Sequence, residues 1–150
     1  MSIAHKQVQL ARYSESLRLM PQILVVDDSP TIRRMVKASL AQLPDAVEFV
    51  EAASGLEAIE RLGLGAVSLI VLDLNMPDMH GLEVLGFVRS HQRYRQLPVL
   101  VLTTRGDDES RTAAMAAGAT AYLTKPFTPQ ALADTAAQLL GSGATPGARP

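Results

Sequence analysis

Asp27-Asp28 follows the apolar run Ile23 to Val26, Asp73 follows Leu69 to Leu72, and Thr103-Thr104 follows Val99 to Leu102. Lys125 stands just past a further run, Ala121 to Leu123. Runs this short and rich in branched residues read as strands buried on both faces. The C-terminal ends of such strands are where open α/β sheets keep their chemistry. Gathered there, Asp27, Asp28 and Asp73 make an acidic cluster, and carboxylates held close raise one another's pKa unless a cation joins them. Lys125 offers one positive charge against three negative ones. The cluster therefore asks for a hard divalent ion with oxygen ligands, Mg²⁺ above all, which keeps waters that phosphoryl oxygens can replace. Thr103 adds a hydroxyl for another such oxygen. Metal, lysine and hydroxyl around one strand-end carboxylate fit phosphoryl transfer, where catalysis is mainly alignment and charge neutralisation. Asp73 is then the nucleophile. An isolated Asp at a strand end more often turns or caps the chain; the joint placement carries the assignment.

Helices must hold these groups in place, and Ser29-Pro30 caps and opens one running to about Leu43. Its periodicity turns Ile32, Val36, Leu40 and Leu43 inward and Arg33, Arg34 and Lys37 outward. Val47 to Val50 alternates like an edge strand. Ser54 to Glu57 has the form of a capping box, before a helix with Leu56, Ile59 and Leu62 inward. Gly81 opens a helix carrying Leu82, Leu85 and Val88. Asp107 to Ala117 is a further helix, built on Ala with only Met115 as a large apolar anchor, and so shallowly packed. Thr128-Pro129 caps the last one, ending near Leu140. Five strands alternating with five helices imply right-handed parallel crossovers and a three-layer α/β sandwich.

The chain has no Cys, which excludes disulfides and thiolate metal sites. An acidic body with few aromatics gives no support for nucleic-acid binding. No apolar run reaches the length of a membrane span, and the first twenty residues lack the apolar core of a signal peptide, so a cytoplasmic location is expected. Residues 1–20 form an N-terminal extension in which Leu10, Tyr13, Leu17 and Met20 recur at helical spacing. That stripe suits an extra packed helix or a homodimer contact, against the alternative of a frayed arm. Residues 141–150 have the composition of a disordered tail.

Val25-Val26-Asp27-Asp28-Ser29, Leu72-Asp73-Leu74-Asn75-Met76-Pro77-Asp78-Met79-His80-Gly81, Leu102-Thr103-Thr104 and Leu123-Thr124-Lys125-Pro126-Phe127 together resemble the receiver domain of bacterial two-component response regulators, of the stand-alone, chemotaxis-regulator type. The similarity covers about residues 21–140. It implies a flavodoxin-like sheet of five parallel strands in the order 2-1-3-4-5, with five helices. It further implies that a histidine kinase phosphorylates Asp73. Asp28, Asp73 and the backbone carbonyl of Asn75 would bind Mg²⁺, with Asp27 supporting the ion through water. Thr103 and Lys125 would contact the phosphoryl group, Tyr122 would turn inward on activation, and the Lys125–Pro126 bond would be cis. Such a protein is no dedicated enzyme, though it assists its own phosphorylation and slow dephosphorylation. Three departures stand out: His80 replaces a usual Asp, Thr104 often is Ala, and Arg105 often is an acid. Asn75, Thr104 and Arg105 would tune the lifetime of the acyl phosphate.

The expected role is a signalling switch whose output face comprises the Asp107–Ala117 helix, the fifth strand and the last helix, read by a protein partner. The alternative is a phosphorelay carrier that passes its phosphoryl group to a histidine phosphotransferase. A phosphohydrolase of the haloacid-dehalogenase type is disfavoured. That chemistry needs a second Asp two residues after the nucleophile, and Asn75, which cannot serve as acid and base, stands there.

Overall fold

Branched apolar residues fill five strands: β1 Gln22–Val26, β2 Glu48–Ala52, β3 Leu69–Leu72, β4 Val99–Thr103 and β5 Ala121–Thr124. The helices are α1 Ile3–Leu19, α2 Pro30–Leu40, α3 Gly55–Leu64, α4 Gly81–Ser90, α5 Asp108–Ala116 and α6 Pro129–Gly141. The computed structural model describes residues 2–104 and 107–141, with residues 12–19 described by their backbone alone. All strand pairs are parallel, in the order β2-β1-β3-β4-β5. Central β3 and β4 are buried at every position, which is why they read as unbroken apolar runs. Edge strand β2 fully buries only Ala52.

Because side chains alternate across a strand, the sheet carries two cores. On one face Leu24, Ile70, Leu72, Val99 and Val101 pack under Ala58 and Leu62 of α3, Val84, Leu85 and Val88 of α4, and Ala114 of α5. On the other, Ile23, Val25, Leu100 and Leu102 pack under Val36 and Leu40 of α2 and Leu132 and Ala136 of α6. Two inward assignments and one outward assignment are corrected. Leu56 is exposed, and Ala58 does the packing expected of it. Met115 is 44% exposed and does not anchor α5; its neighbour Ala114 is fully buried instead. Arg33 does not face away: only 15% of its side chain is exposed, and it pairs with Glu51 of β2 at 2.9 Å.

A sixth helix joins the five expected, because the N-terminal extension is helical from Ile3 to Leu19. Ser2 to Ala11 are all exposed, Ile3, Val8 and Leu10 among them. The side chains of Tyr13 and Leu17, and the tail residues 142–150, lie outside the described residues. With nothing from Ser2 to Ala11 buried, deleting that stretch is expected to change the unfolding free energy by less than about 0.5 kcal/mol. Urea denaturation measures it, and a larger loss would show that this part of α1 packs.

Candidate metal and phosphoryl-acceptor site

Parallel pairing brings the strand ends to one edge. Val26 stands opposite Leu72, and the Asp73 N–H donates to the Val26 carbonyl at 2.9 Å. Asp27 and Asp73 therefore emerge side by side, 3% and 4% exposed, while Asp28 faces solvent. Ser29 does two things here. Its backbone N–H donates to Asp27 Oδ1 at 2.9 Å, and its hydroxyl caps α2 by accepting from the Ile32 N–H. Lys125 Nζ donates to Asp27 Oδ2 at 2.8 Å and stands 3.6 Å from Asp73 Oδ1. The lysine is held in turn by its own backbone N–H, which donates to the Thr103 carbonyl at 2.8 Å, ahead of a cis Lys125–Pro126 bond.

Burial pushes the Asp73 carboxyl above its ordinary range. Lys125 and the Asn75 N–H oppose this, and the neighbouring Asp27 and Asp28 add to it. Ligand oxygens of Asp27, Asp28 and Asp73 all lie within 4.8 Å of one another. Every donor is a carboxylate oxygen and Asp28 leaves one side open to water, so the residues fit a hard divalent ion that keeps part of its hydration. Mg²⁺ at one hundred times its Kd is expected to stabilise the protein by about 2.7 kcal/mol through linkage. Asp28→Ala should remove most of that gain in a thermal melt; an equal response in both proteins would exclude Asp28 as a ligand.

Thr103 ends β4 fully buried, and its hydroxyl accepts a hydrogen bond from Asn75 Nδ2 at 3.1 Å. The Asn75 backbone N–H donates to Asp73 Oδ1 at 3.2 Å. Tyr122 is half-buried on β5 opposite Val101, so it shares the α3/α4/α5 face of the sheet with Thr103. Thr104, the next residue, is exposed, and Arg105 lies outside the described residues.

The residue matched to a usual Asp, His80, is the N-cap of α4; its Nδ1 accepts from the Leu82 N–H at 3.1 Å, the job an Asp does at such a position. Two supporting roles, those of Arg33 and Gly81, escaped the sequence reading. Arg33 Nη1 donates to the Asp27 carbonyl at 2.6 Å, tying α2 and, through Glu51, β2 to the acidic loop. Helical periodicity pointed it outward, and only the cross-strand carboxylate of Glu51 hinted otherwise. Gly81 presses on the loop after β3: a Cβ there would lie 2.6 Å from Leu74 Cα and 2.7 Å from the Asp73 carbonyl. Glycine is required there by close approach.

The family model of the response regulator receiver domain matches residues 23–137. The chain belongs to that family. The chemotaxis protein CheY1 of Helicobacter pylori is 39% identical over 122 residues, covering 81% of this chain and 98% of that protein. A CheY homologue of Campylobacter jejuni is 39% identical over 128 residues, covering 85% and 98%. Among solved structures, the chemotaxis response regulator CheY4 of Vibrio cholerae superposes with a TM-score of 0.74 at 38% identity, covering 81% of this chain and 99% of that one. The receiver family thus accounts for the fold and for the acidic pocket at the sheet edge. Among the described residues no helix is long and apolar enough to cross a membrane.

Proposed function

We propose that this receiver is a phosphorylation-dependent signalling switch, with residues 21–140 as the working unit and residues 1–20 as an appendage. The observation that carries the reading is Lys125 spanning Asp27 at 2.8 Å and Asp73 at 3.6 Å. A cation is thereby fixed beside a buried strand-end carboxylate, Asp73, that also receives the Asn75 backbone N–H. In the reaction, a carboxylate oxygen of Asp73 attacks phosphorus and the P–N bond to the kinase histidine breaks. The imidazole leaves with its electron pair and takes up a proton from water. Asp28, Asp73 and the Asn75 carbonyl would hold Mg²⁺, with Asp27 behind water, and the ion would supply charge neutralisation for the equatorial oxygens. Lys125 pairs with one phosphoryl oxygen, and Thr103 gives its hydroxyl to another.

Output follows from the face on which Thr103 and Tyr122 sit. Movement of Thr103 toward the phosphoryl group leaves room for the Tyr122 ring, and α5, tied down through the small Ala114, can follow at low cost. The altered α5–β5–α6 surface would engage a cytoplasmic protein partner. Similarity to chemotaxis proteins of three organisms supports a chemotaxis role.

Beryllofluoride with Mg²⁺ mimics the phosphoryl group without turnover and tests the switch. Backbone amide NMR is expected to change most around Asp73 and from Thr103 through Tyr122. Tyr122→Ala should spare the first set and weaken partner binding. A response confined to Asp73, with Arg111 to Tyr122 silent, would overturn the switch and leave a phosphorelay carrier donating to a histidine phosphotransferase.

A further inference from the structure

Asn75 makes two bonds that point opposite ways across the site. Its backbone N–H donates to Asp73, whereas its side-chain amide reaches 3.1 Å to the Thr103 hydroxyl, one strand over. The exposures differ sharply: Thr103 is fully buried, while Asn75 is exposed. A buried hydroxyl is costly to leave without a partner, so Thr103 has reason to stay where Asn75 meets it. We propose that the Asn75 side-chain amide is a latch, holding Thr103 in its resting position and thereby setting the balance between resting and activated receiver before any phosphoryl group arrives. This rests on the switch reading above. Release is asymmetric. Thr103 gives up the Asn75 donor and turns its own O–H on a phosphoryl oxygen, and the freed amide turns into an open cleft of about 240 Å³, lined by Leu74, Asn75, Thr103, Ser110 and Ala113, where water receives it. Neither group is stranded once phosphorylation has occurred, whereas without it Thr103 would be. Asn75 is on this account a positioning residue acting through Thr103, beyond any effect on the lifetime of the acyl phosphate.

The Thr103 side-chain rotamer, read from three-bond couplings to its methyl carbon in metal-free, unphosphorylated protein, tests the latch. Wild type is expected to show one rotamer. Asn75→Ala keeps the backbone N–H to Asp73 and should give averaged couplings, with amides from Thr103 to Tyr122 displaced part-way toward their beryllofluoride positions. Its affinity for beryllofluoride with Mg²⁺ should tighten by about fivefold, the worth of one net hydrogen bond. Thr103→Val supplies an independent check from the other partner: the Asn75 side-chain amide protons should shift and exchange faster with water. Unchanged Thr103 couplings in Asn75→Ala, or unmoved amide protons in Thr103→Val, would overturn the latch. Should beryllofluoride still move Thr103 in wild type, the latch alone has failed; should it not, the switch reading has failed beneath it.

Discussion

The Asp73→Asn protein is expected to take up no phosphoryl group from acetyl phosphate, to remain folded, and to be more stable than its parent in metal-free buffer at neutral pH. Loss of labelling follows because the amide is no nucleophile and, among the described residues, no other carboxylate has both Lys125 and the Asn75 N–H about it. Mass spectrometry decides it, and a full phosphoryl adduct persisting in the variant would defeat the assignment. The gain in stability follows from linkage. Burial chiefly, with Asp27 and Asp28 adding, holds the folded carboxyl above its ordinary value of 3.8 against the pull of Lys125. The folded state therefore binds this proton more tightly than the unfolded chain does, and stability falls as pH rises from the ordinary value through the raised one. Above that window the parent carries the whole cost of a buried charge, which Asn avoids. Below it both side chains are neutral and the difference disappears. Urea denaturation across this range should show the gain shrinking on acidification, and Mg²⁺ should reduce it at neutral pH by favouring the parent's carboxylate. A gain independent of pH would mean that Asp73 is not the group under strain.

The parts of this molecule legible in its sequence are those where burial is complete. β1, β3 and β4 are covered on both faces, so their composition declares them, and parallel order then forces Asp27, Asp28, Asp73, Thr103 and Lys125 to one edge. β2 is half-solvated and its limits came out displaced, Glu48–Ala52 against an expected Val47 to Val50. Leu56 and Met115 were misplaced for a common reason: side-chain size was taken as the mark of an inward position. α3 and α5 approach the sheet closely through Ala58 and Ala114, and close approach selects small residues. Arg33 and Asn75 show a different limit. Their partners, Glu51 and Thr103, lie 18 and 28 residues away, and no local pattern encodes a contact made only after the sheet has closed.

Lys125→Met should produce the other large effect: a loss of about 3 kcal/mol in metal-free buffer and a phosphorylation rate lower by about a hundredfold. Met retains most of the apolar stem, so packing changes little and the charge is what disappears. The lysine side chain is only 12% exposed and is bonded to an Asp27 carboxylate buried with it. Without it, two buried carboxylates face each other beside Asp28, and a break of that kind costs more than the pair contributes when intact. The Asp73 carboxyl, already raised, would rise further, leaving less of the ionised nucleophile. Mg²⁺ should restore much of the stability, since it offers charge to the same oxygens. It should restore little of the rate, since the phosphoryl oxygen that Lys125 would meet still lacks a partner. A double-mutant cycle separates these contributions. In the Asp73→Asn background one of the two stranded carboxylates is gone, so Lys125→Met should cost at least about 1 kcal/mol less there, the coupling expected of neighbours that share a charge network. Strict additivity of the two substitutions would mean that the lysine answers to Asp27 alone, and that its 3.6 Å approach to Asp73 plays no part in holding the nucleophile ready.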